Sequence, residues 1–220
     1  MSEPQDLTPE RAAEGAAEQA DDIGAPLRPD DVHMADAPTG SAAPARTPPR
    51  RATAGFMLRH PARWIALGFG SGLSPVAPGT VGTLWAWLSF VLLQPYLGEL
   101  QWLALISAGT VVGVWACTRT AQHLGVADPG AIVWDEILAF WLILCLVMPA
   151  GFGAQLMAFA LFRYFDAAKP GPVRWADGLF KSQPGEPITW RQGLGILLDD
   201  FVAAGCTLVV LALWRFTFGG

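Results

Sequence analysis

The chain has 220 residues, of which 52% are hydrophobic and only 15% are charged, and its net charge is −5. This composition is more apolar than that of an average soluble domain, which argues against an ordinary cytosolic globular protein. We therefore expect a membrane-associated protein, and we expect no nucleic acid among its partners.

Residues 1–55 are predicted to be a disordered tail that precedes a folded domain spanning residues 56–220. The tail is rich in Ala, Pro, Asp and Glu and has almost no aromatic side chains, so it cannot bury enough apolar surface to offset its ordering entropy. Its start lacks the apolar core of a cleavable signal peptide. Arginines cluster before the first apolar segment, as is typical of a cytoplasmic flank, so the N-terminus is expected in the cytoplasm.

The stretch Trp64–Thr83, WIALGFGSGLSPVAPGTVGT, is rich in glycine and contains two prolines, which favours a loop over a continuous helix. Irregular backbone at membrane depth is tolerated only when it is buried in protein or lines a polar cavity. We therefore predict a buried Gly-rich loop. Its backbone N–H groups, with Ser74 and Thr80, could receive an anion; the alternative is a plain surface connector.

Five apolar stretches follow, and together they predict an all-α, multi-helical bundle. Residues 81–97 and 100–117 read as an antiparallel helix pair near the lower length limit of a bilayer span. Residues 132–149, 153–166 and 193–218 read as three further helices, and residues 171–192 as a polar loop. Between two and five bilayer spans are compatible with these lengths.

Carboxylates recur inside these apolar helices. Asp135 and Glu136 begin one, Asp166 ends another, and Asp199 and Asp200 lie in the last. Each costs about 2.5–3.5 kcal/mol at membrane depth unless it has a partner, and none of the histidines or cysteines has ligand spacing. The five carboxylates therefore predict one shared hard-metal site. Because successive helical residues diverge by about 100°, one of Asp199 and Asp200 should bind the metal while the other orients a ligand, a water or a lysine.

Basic residues accompany this acidic set. Arg163, Asp166 and Lys169 are three apart and share a helix face, which alone would also suit a solvated ladder of salt bridges. Magnesium binds through one or two carboxylates, waters and substrate phosphate oxygens, and Lys169, Arg163 and Arg174 could neutralise the remaining phosphate charge. The pattern predicts Mg²⁺-dependent phosphate hydrolysis by a metal-activated water, since the usual nucleophile arrangements of phosphatases are missing.

Four blocks of sequence in this order resemble the signature blocks of the phosphatidylglycerophosphatase A family: GFGSGLSPVAPGTVGT, IVWDE, FRYFDAAKPGPVRWAD and GLGILLDDFVAAG. The resemblance covers residues 64–205. It implies an all-helical enzyme of the bacterial inner membrane that uses magnesium to convert phosphatidylglycerophosphate to phosphatidylglycerol and phosphate. The residues that match the family's acidic and basic positions are Asp135, Glu136, Asp166, Lys169, Asp199 and Asp200.

Three alternatives remain open on the sequence. Broader phosphatases that act on phosphatidic or lysophosphatidic acid would show the same residues, because selectivity lies in pocket shape. A non-catalytic transporter could use intramembrane carboxylates as an ion relay. The carboxylates could also be structural, each paired with an arginine or lysine. Convergence of unneutralised carboxylates indicates a metal, whereas scattered and paired carboxylates indicate salt bridges.

Overall fold

The structure, a computed structural model, describes residues 51–181 and 186–218. All regular secondary structure in these ranges is helical, which confirms the predicted all-α fold. Residues 1–50 of the predicted tail lie outside them, and the first described helix begins at Ala54. The helices are α1 (Ala54–Met57), α2 (Pro61–Ala66), a 3₁₀ segment (Gly68–Leu73), α3 (Pro78–Leu93), α4 (Glu99–Leu124), α5 (Trp134–Val147), α6 (Phe152–Ala168), α7 (Gly171–Leu179) and α8 (Trp190–Phe218).

Helix α5 is the centre of the bundle and packs against α3, α4, α6 and α8. Ten of its 14 residues are buried, as expected of a helix that is apolar on every side. Two buried tryptophans tie it to its neighbours, because the indole N–H of Trp141 donates to the carbonyl of Ala86 on α3 and that of Trp134 to the carbonyl of Gly109 on α4, both at 3.0 Å. These bonds fix the start of α5 against α4 and its middle against α3.

The long helices alternate in direction, so the bundle has two distinct ends. At one end the links 94–98 and 148–151 are short, and the stacked rings of Phe90 and Trp102 join α3 to α4 there. At the other end, which we call the loop end, lie residues 125–133, α7 and the beginnings of α3, α5 and α8. Helix α2 also lies there, because Arg63 Nε donates to His123 Nδ1 near the end of α4 at 3.2 Å.

The predicted loop over residues 64–83 is correct only in its middle. Helix α2 continues through Trp64, and α3 already begins at Pro78, where proline is tolerated because the first N–H of a helix has no intrahelical partner. Between them the backbone is irregular: Phe69 and Ala77 have left-handed φ values of 55° and 45°. Gly72 is buried, and a Cβ there would collide with the carbonyl oxygen of Ala131, so this glycine-rich segment packs directly on backbone.

The prediction of a polar loop over residues 171–192 is wrong for its first half, which forms α7. Helix α7 buries Val173 and Ala176 and packs against α8. A nine-residue helix is only marginally stable in isolation, so its tertiary contacts, and not its local sequence, decide that it forms.

Two helices in the described ranges, α4 with 26 residues and α8 with 29, are long and apolar enough to cross a membrane. The outer faces of α3, α4 and α8 expose many large apolar side chains, among them Trp85, Leu92, Trp115 and Leu213. Apolar surface on this scale is unusual on a soluble monomer, and it indicates membrane association.

Two glycines of α8 provide a test of its packing. A Cβ at Gly193 would collide with the Thr118 hydroxyl and lie 2.5 Å from the carbonyl oxygen of Val114 on α4, whereas a Cβ at Gly205 meets nothing within 4 Å. We expect Gly193→Ala to lower the free energy of unfolding by about 1–3 kcal/mol through overpacking. The control Gly205→Ala should raise it by about 0.5–1 kcal/mol, because alanine is the better helix former. Denaturation in detergent measures both, and equal effects would contradict the α4–α8 contact.

Candidate active site

Three carboxylates meet at the loop end of the bundle. One oxygen each from Asp135, Glu136 and Asp200 lies within 4.8 Å of the other two. Asp135 and Glu136 belong to the first turn of α5, and Asp200 lies eleven residues into α8, where α8 packs on α5. The positive end of the α5 dipole favours negative charge at this position.

Each of the three carboxylates has a buried oxygen without a hydrogen-bond partner in the described ranges: Asp135 Oδ1, Glu136 Oε2 and Asp200 Oδ2. Burying unpaired carboxylates beside one another is strongly unfavourable, both by desolvation and by mutual repulsion. A divalent cation relieves both costs, and a donor set made only of carboxylate oxygens suits a hard ion such as Mg²⁺ or Ca²⁺. The residues present therefore fit a metal ion.

Asp166 lies beside this group but has a different partner. Its Oδ2 is 2.6 Å from Nη1 of Arg163, one turn earlier on α6. The same Nη1 lies 3.8 Å from Glu136 and donates to the Thr83 hydroxyl at 3.4 Å. Asp166 thus holds a guanidinium against the acidic cluster.

Asp199 points away from its neighbour Asp200, as the 100° step of a helix requires. Its Oδ2 lies 2.5 Å from the ammonium of Lys169, which is also 2.7 Å from Asp177. Asp177 in turn pairs with Lys181. The side chains at the loop end therefore form a second group next to the carboxylate cluster, organised around Lys169.

The pairing in this second group changes the pKa of its members. Burial lowers the pKa of Lys169, but its hydrogen bonds to Asp177 and Asp199 outweigh burial and raise that pKa above its ordinary value. Burial raises the pKa of Asp177, but the hydrogen bonds from Lys169 and Lys181 lower it overall. Lys169 therefore keeps its positive charge throughout the physiological range.

A cavity of about 220 Å³ adjoins the second group. Asp128, Asp177, Lys181 and Asp199 supply its charged walls, and Phe180 is among its apolar ones. Burial raises the pKa of Asp128. The sequence reasoning did not select Asp128, Asp177 or Lys181 as site residues, because each lies in a polar segment where a charged side chain is ordinary.

The remaining predicted site residues lie at different distances from the carboxylates. Thr80 belongs to the first turn of α3. It follows Gly79, where an added Cβ would collide with Glu136 Oε1. The Ser74 hydroxyl donates to the carbonyl of Val76 at 2.8 Å. Arg174 is exposed on α7 and has no ion pair with any described residue. The structure thus places the turn that contains Thr80 beside Glu136, whereas no contact joins Ser74 or Arg174 to the acidic cluster in the described ranges.

Comparison with known proteins decides the family. A model of the family described as Phosphatidylglycerophosphatase A matches residues 64–215. The chain belongs to this family. The match confirms the resemblance of the four sequence blocks, and it confirms that the chain is a phosphatase enzyme.

Curated relatives extend over most of the chain. Phosphatidylglycerophosphatase A of Escherichia coli (strain K12) is 36% identical over 146 residues, which are 66% of this chain and 78% of the relative. The protein of the same name from Haemophilus influenzae is 36% identical over 154 residues, 70% of this chain and 88% of the relative. A Bacteroides thetaiotaomicron protein, provisionally named a phosphatidylinositol-3-phosphatase, is 34% identical and is matched over 94% of its length. No solved structure matches the chain significantly.

Proposed function

We propose that this enzyme removes the terminal phosphate of phosphatidylglycerophosphate, giving phosphatidylglycerol and inorganic phosphate, and that residues 56–220 form the phosphatase domain. The observation that carries the proposal is the convergence of three carboxylates, each with a buried oxygen that has no hydrogen-bond partner among the described residues, in a chain of the phosphatidylglycerophosphatase A family. Two of its relatives are named for this activity.

Asp135, Glu136 and Asp200 would hold Mg²⁺ directly, because one oxygen of each lies within 4.8 Å of the others and each side chain has a buried oxygen without a hydrogen-bond partner in the described ranges. A divalent cation supplies the positive charge that activates a water molecule and offsets negative charge on the phosphate. Asp166 and Asp199 would not bind the metal directly but would orient basic side chains, since Asp166 pairs with Arg163 and Asp199 with Lys169. The predicted set of five metal carboxylates thereby divides into three ligands and two orienting groups.

The basic side chains bind the substrate in this proposal. Arg163 and Lys169 would contact phosphate oxygens, and their carboxylate partners restrict where those donors can point. Arg174, Ser74 and Thr80 would complete the headgroup cradle, with Thr80 nearest the carboxylates. Pre-oriented donors cost little reorganisation when charge develops during phosphoryl transfer.

The loop end would face the cytoplasm of a bacterial cell, with α4 and α8 crossing the inner membrane. Positive side chains favour the cytoplasmic flanks of membrane spans. At the opposite end of the bundle, Arg215 is the one basic residue in the described ranges. The loop-end set comprises Arg51, Arg59, Arg63, Arg119, Arg163, Lys169, Arg174, Lys181 and Arg191. A lipid headgroup at the cytoplasmic surface would then lie at the same end of the bundle as the carboxylates.

The test is a competition assay on purified protein in mixed micelles. Phosphatidylglycerophosphate, phosphatidic acid, lysophosphatidic acid and phosphatidylinositol 3-phosphate are offered together with Mg²⁺, and each product is quantified. We expect phosphatidylglycerophosphate to be consumed with the highest kcat/KM. Consumption of none of the four lipids would overturn the proposal.

A phosphatase of different or broader lipid specificity is the second candidate. The Bacteroides relative favours it, because its provisional name gives a phosphoinositide as substrate at nearly the same identity. Equal turnover of phosphatidic acid and phosphatidylglycerophosphate, or preferred turnover of the phosphoinositide, would select this candidate over the first.

A further inference from the structure

We propose that the segment formed by α1, α2 and the link between them, residues 54–66, is a binding site for an anionic phospholipid of the surrounding membrane. Arg59 binds the lipid phosphate, and Leu58, Trp64 and Ile65 contact the apolar part of the lipid next to it. The inference goes beyond the proposed function, because this lipid is held away from the carboxylate cluster and is not hydrolysed.

The charge of this part of the chain favours an anion. Residues 51–98 contain three arginines, Arg51, Arg59 and Arg63, and no Asp or Glu. Arg63 is engaged within the protein, because it donates to the carbonyl of Phe56 at 2.8 Å and to His123 Nδ1 at 3.2 Å. Arg59 is exposed, and its guanidinium makes no hydrogen bond or ion pair within the described ranges. Basic residues beside a membrane attract anionic lipids.

An open pocket of about 420 Å³ lies at the link between α1 and α2. Its volume is within the range of about 300–1,000 Å³ that is typical of small-molecule sites. Arg59 lines it together with apolar side chains, of which Leu58 is 61% exposed and Trp64 is 42% exposed. One cationic group beside apolar walls suits a lipid, whose charged phosphate adjoins its acyl chains. A free phosphate ion would leave these walls uncovered.

The pocket lies where the apolar face of α4 ends. Val111, Trp115 and Arg119 are exposed and follow at four-residue spacing on one stripe of that helix. Towards the loop end the stripe thus changes from aliphatic to tryptophan to charged, as it does where a span leaves the membrane, since tryptophan favours the headgroup level. The ring of His60, which also lines the pocket, lies 6.1 Å from that of Trp115. The pocket is therefore at the level of the lipid headgroups.

Contacts with the rest of the bundle hold the pocket in place. Helix α2 packs against α4, and the ring of His60 lies 5.3 Å from that of His123 near the end of α4. At the other end of α2, the carbonyl of Ala66 accepts from the N–H of Val133 at 2.9 Å. Because the walls are already fixed, a bound lipid pays little for ordering them.

The experiment measures the Tm of the purified protein in detergent micelles that contain EDTA. Phosphatidylserine, phosphatidylcholine or inorganic phosphate is added in increasing amounts. We expect phosphatidylserine to raise the Tm to a plateau, because a ligand of the folded state stabilises it. Phosphatidylcholine should raise it much less, since its headgroup has no net charge, and inorganic phosphate should not raise it.

Four variants locate the site. We expect Arg59→Gln to weaken the apparent affinity for phosphatidylserine about fivefold, the effect of one basic residue near an anionic lipid surface. Leu58→Gln should weaken it about threefold, because an apolar contact is lost. Arg59→Lys keeps the charge and should bind as the wild type does. Arg215→Gln is the matched control, since it removes an exposed arginine at the opposite end of the bundle.

Unchanged affinity for phosphatidylserine in both Arg59→Gln and Leu58→Gln would overturn the inference, and so would an equal loss in Arg215→Gln. An equal rise in Tm with inorganic phosphate would also overturn it, because the apolar walls would then contribute nothing. If Arg59→Gln changed the oligomeric state but not lipid binding, the surface would belong to a second copy of the chain. Failure of the proposed function looks different: no lipid would release phosphate with Mg²⁺, whereas lipid binding in EDTA involves no turnover.

Discussion

Asp200→Asn and Asp135→Asn are each expected to lower phosphate release by about 10²–10³-fold, the scale of losing a principal electrostatic group. The folded protein should at the same time become more stable in chelator. Three carboxylates lie together, and each has a buried oxygen without a hydrogen-bond partner in the described ranges, so replacing one charge by a neutral amide removes repulsion. A metal-ligand role thus predicts that the variant is more stable than the wild type in chelator. A salt-bridge role predicts that it is less stable, because a buried pair would be broken.

Chelation of the wild type should reproduce the loss of activity. We expect EDTA to abolish turnover and added Mg²⁺ to restore it. Mg²⁺ should raise the Tm of the wild type, because ligand binding to the folded state stabilises it, and it should leave the Tm of Asp200→Asn nearly unchanged. Glu99→Gln is the control, since Glu99 begins α4 at the opposite end of the bundle. Undiminished turnover in EDTA, or wild-type rates in both aspartate variants, would remove the metal centre from the mechanism.

Lys169→Met is expected to lower both stability and activity. The ammonium lies between Asp177 and Asp199 at 2.7 and 2.5 Å. Its removal takes a positive partner from both carboxylates. Breaking a buried pair costs about 3–5 kcal/mol; because this lysine is 30% exposed, we expect a loss of about 2 kcal/mol in the free energy of unfolding. We expect kcat/KM to fall about 10²-fold, because a phosphate-binding cation is lost.

Comparison with Lys181→Met isolates the buried ammonium. Lys181 also pairs with Asp177, but its side chain is 69% exposed. The Lys181→Met variant should therefore change the free energy of unfolding and kcat/KM very little. The double variant Lys169→Met with Asp199→Asn should recover stability but not activity. A Lys169→Met protein with normal kcat/KM would exclude this lysine from phosphate binding.

The stability change should also depend on pH. The pKa of Asp177 is lowered in the folded protein, so its contribution is present above an unfolded value of about 3.9 and is lost as pH falls through the folded value. The pKa of Lys169 is raised, so its contribution is present below an unfolded value of about 10.4 and is lost as pH rises through the folded value. Wild type and Lys169→Met should therefore differ most at neutral pH and converge in strong acid, as denaturation across pH would show.

Sequence alone was sufficient for the features that depend on local geometry. Apolar runs of helical length predicted the all-α fold, and the family resemblance was complete in four blocks of sequence. The divergence of Asp199 from Asp200 followed from the helical repeat, because the direction of adjacent side chains is set by backbone dihedrals within one turn. The structure places Asp200 in the acidic cluster and Asp199 on Lys169.

Features that depend on how helices pack were beyond the sequence. The approach of Arg163 to Glu136, and the contact of Gly79 with Glu136, require the relative rotation of α3, α5 and α6. The short helix α7 forms because α8 covers its buried face. These arrangements are settled by side-chain packing between segments far apart in the chain. Local sequence specified that carboxylates lie in apolar helices; only the packed bundle decided which of them meet, because their convergence is a property of several helices at once.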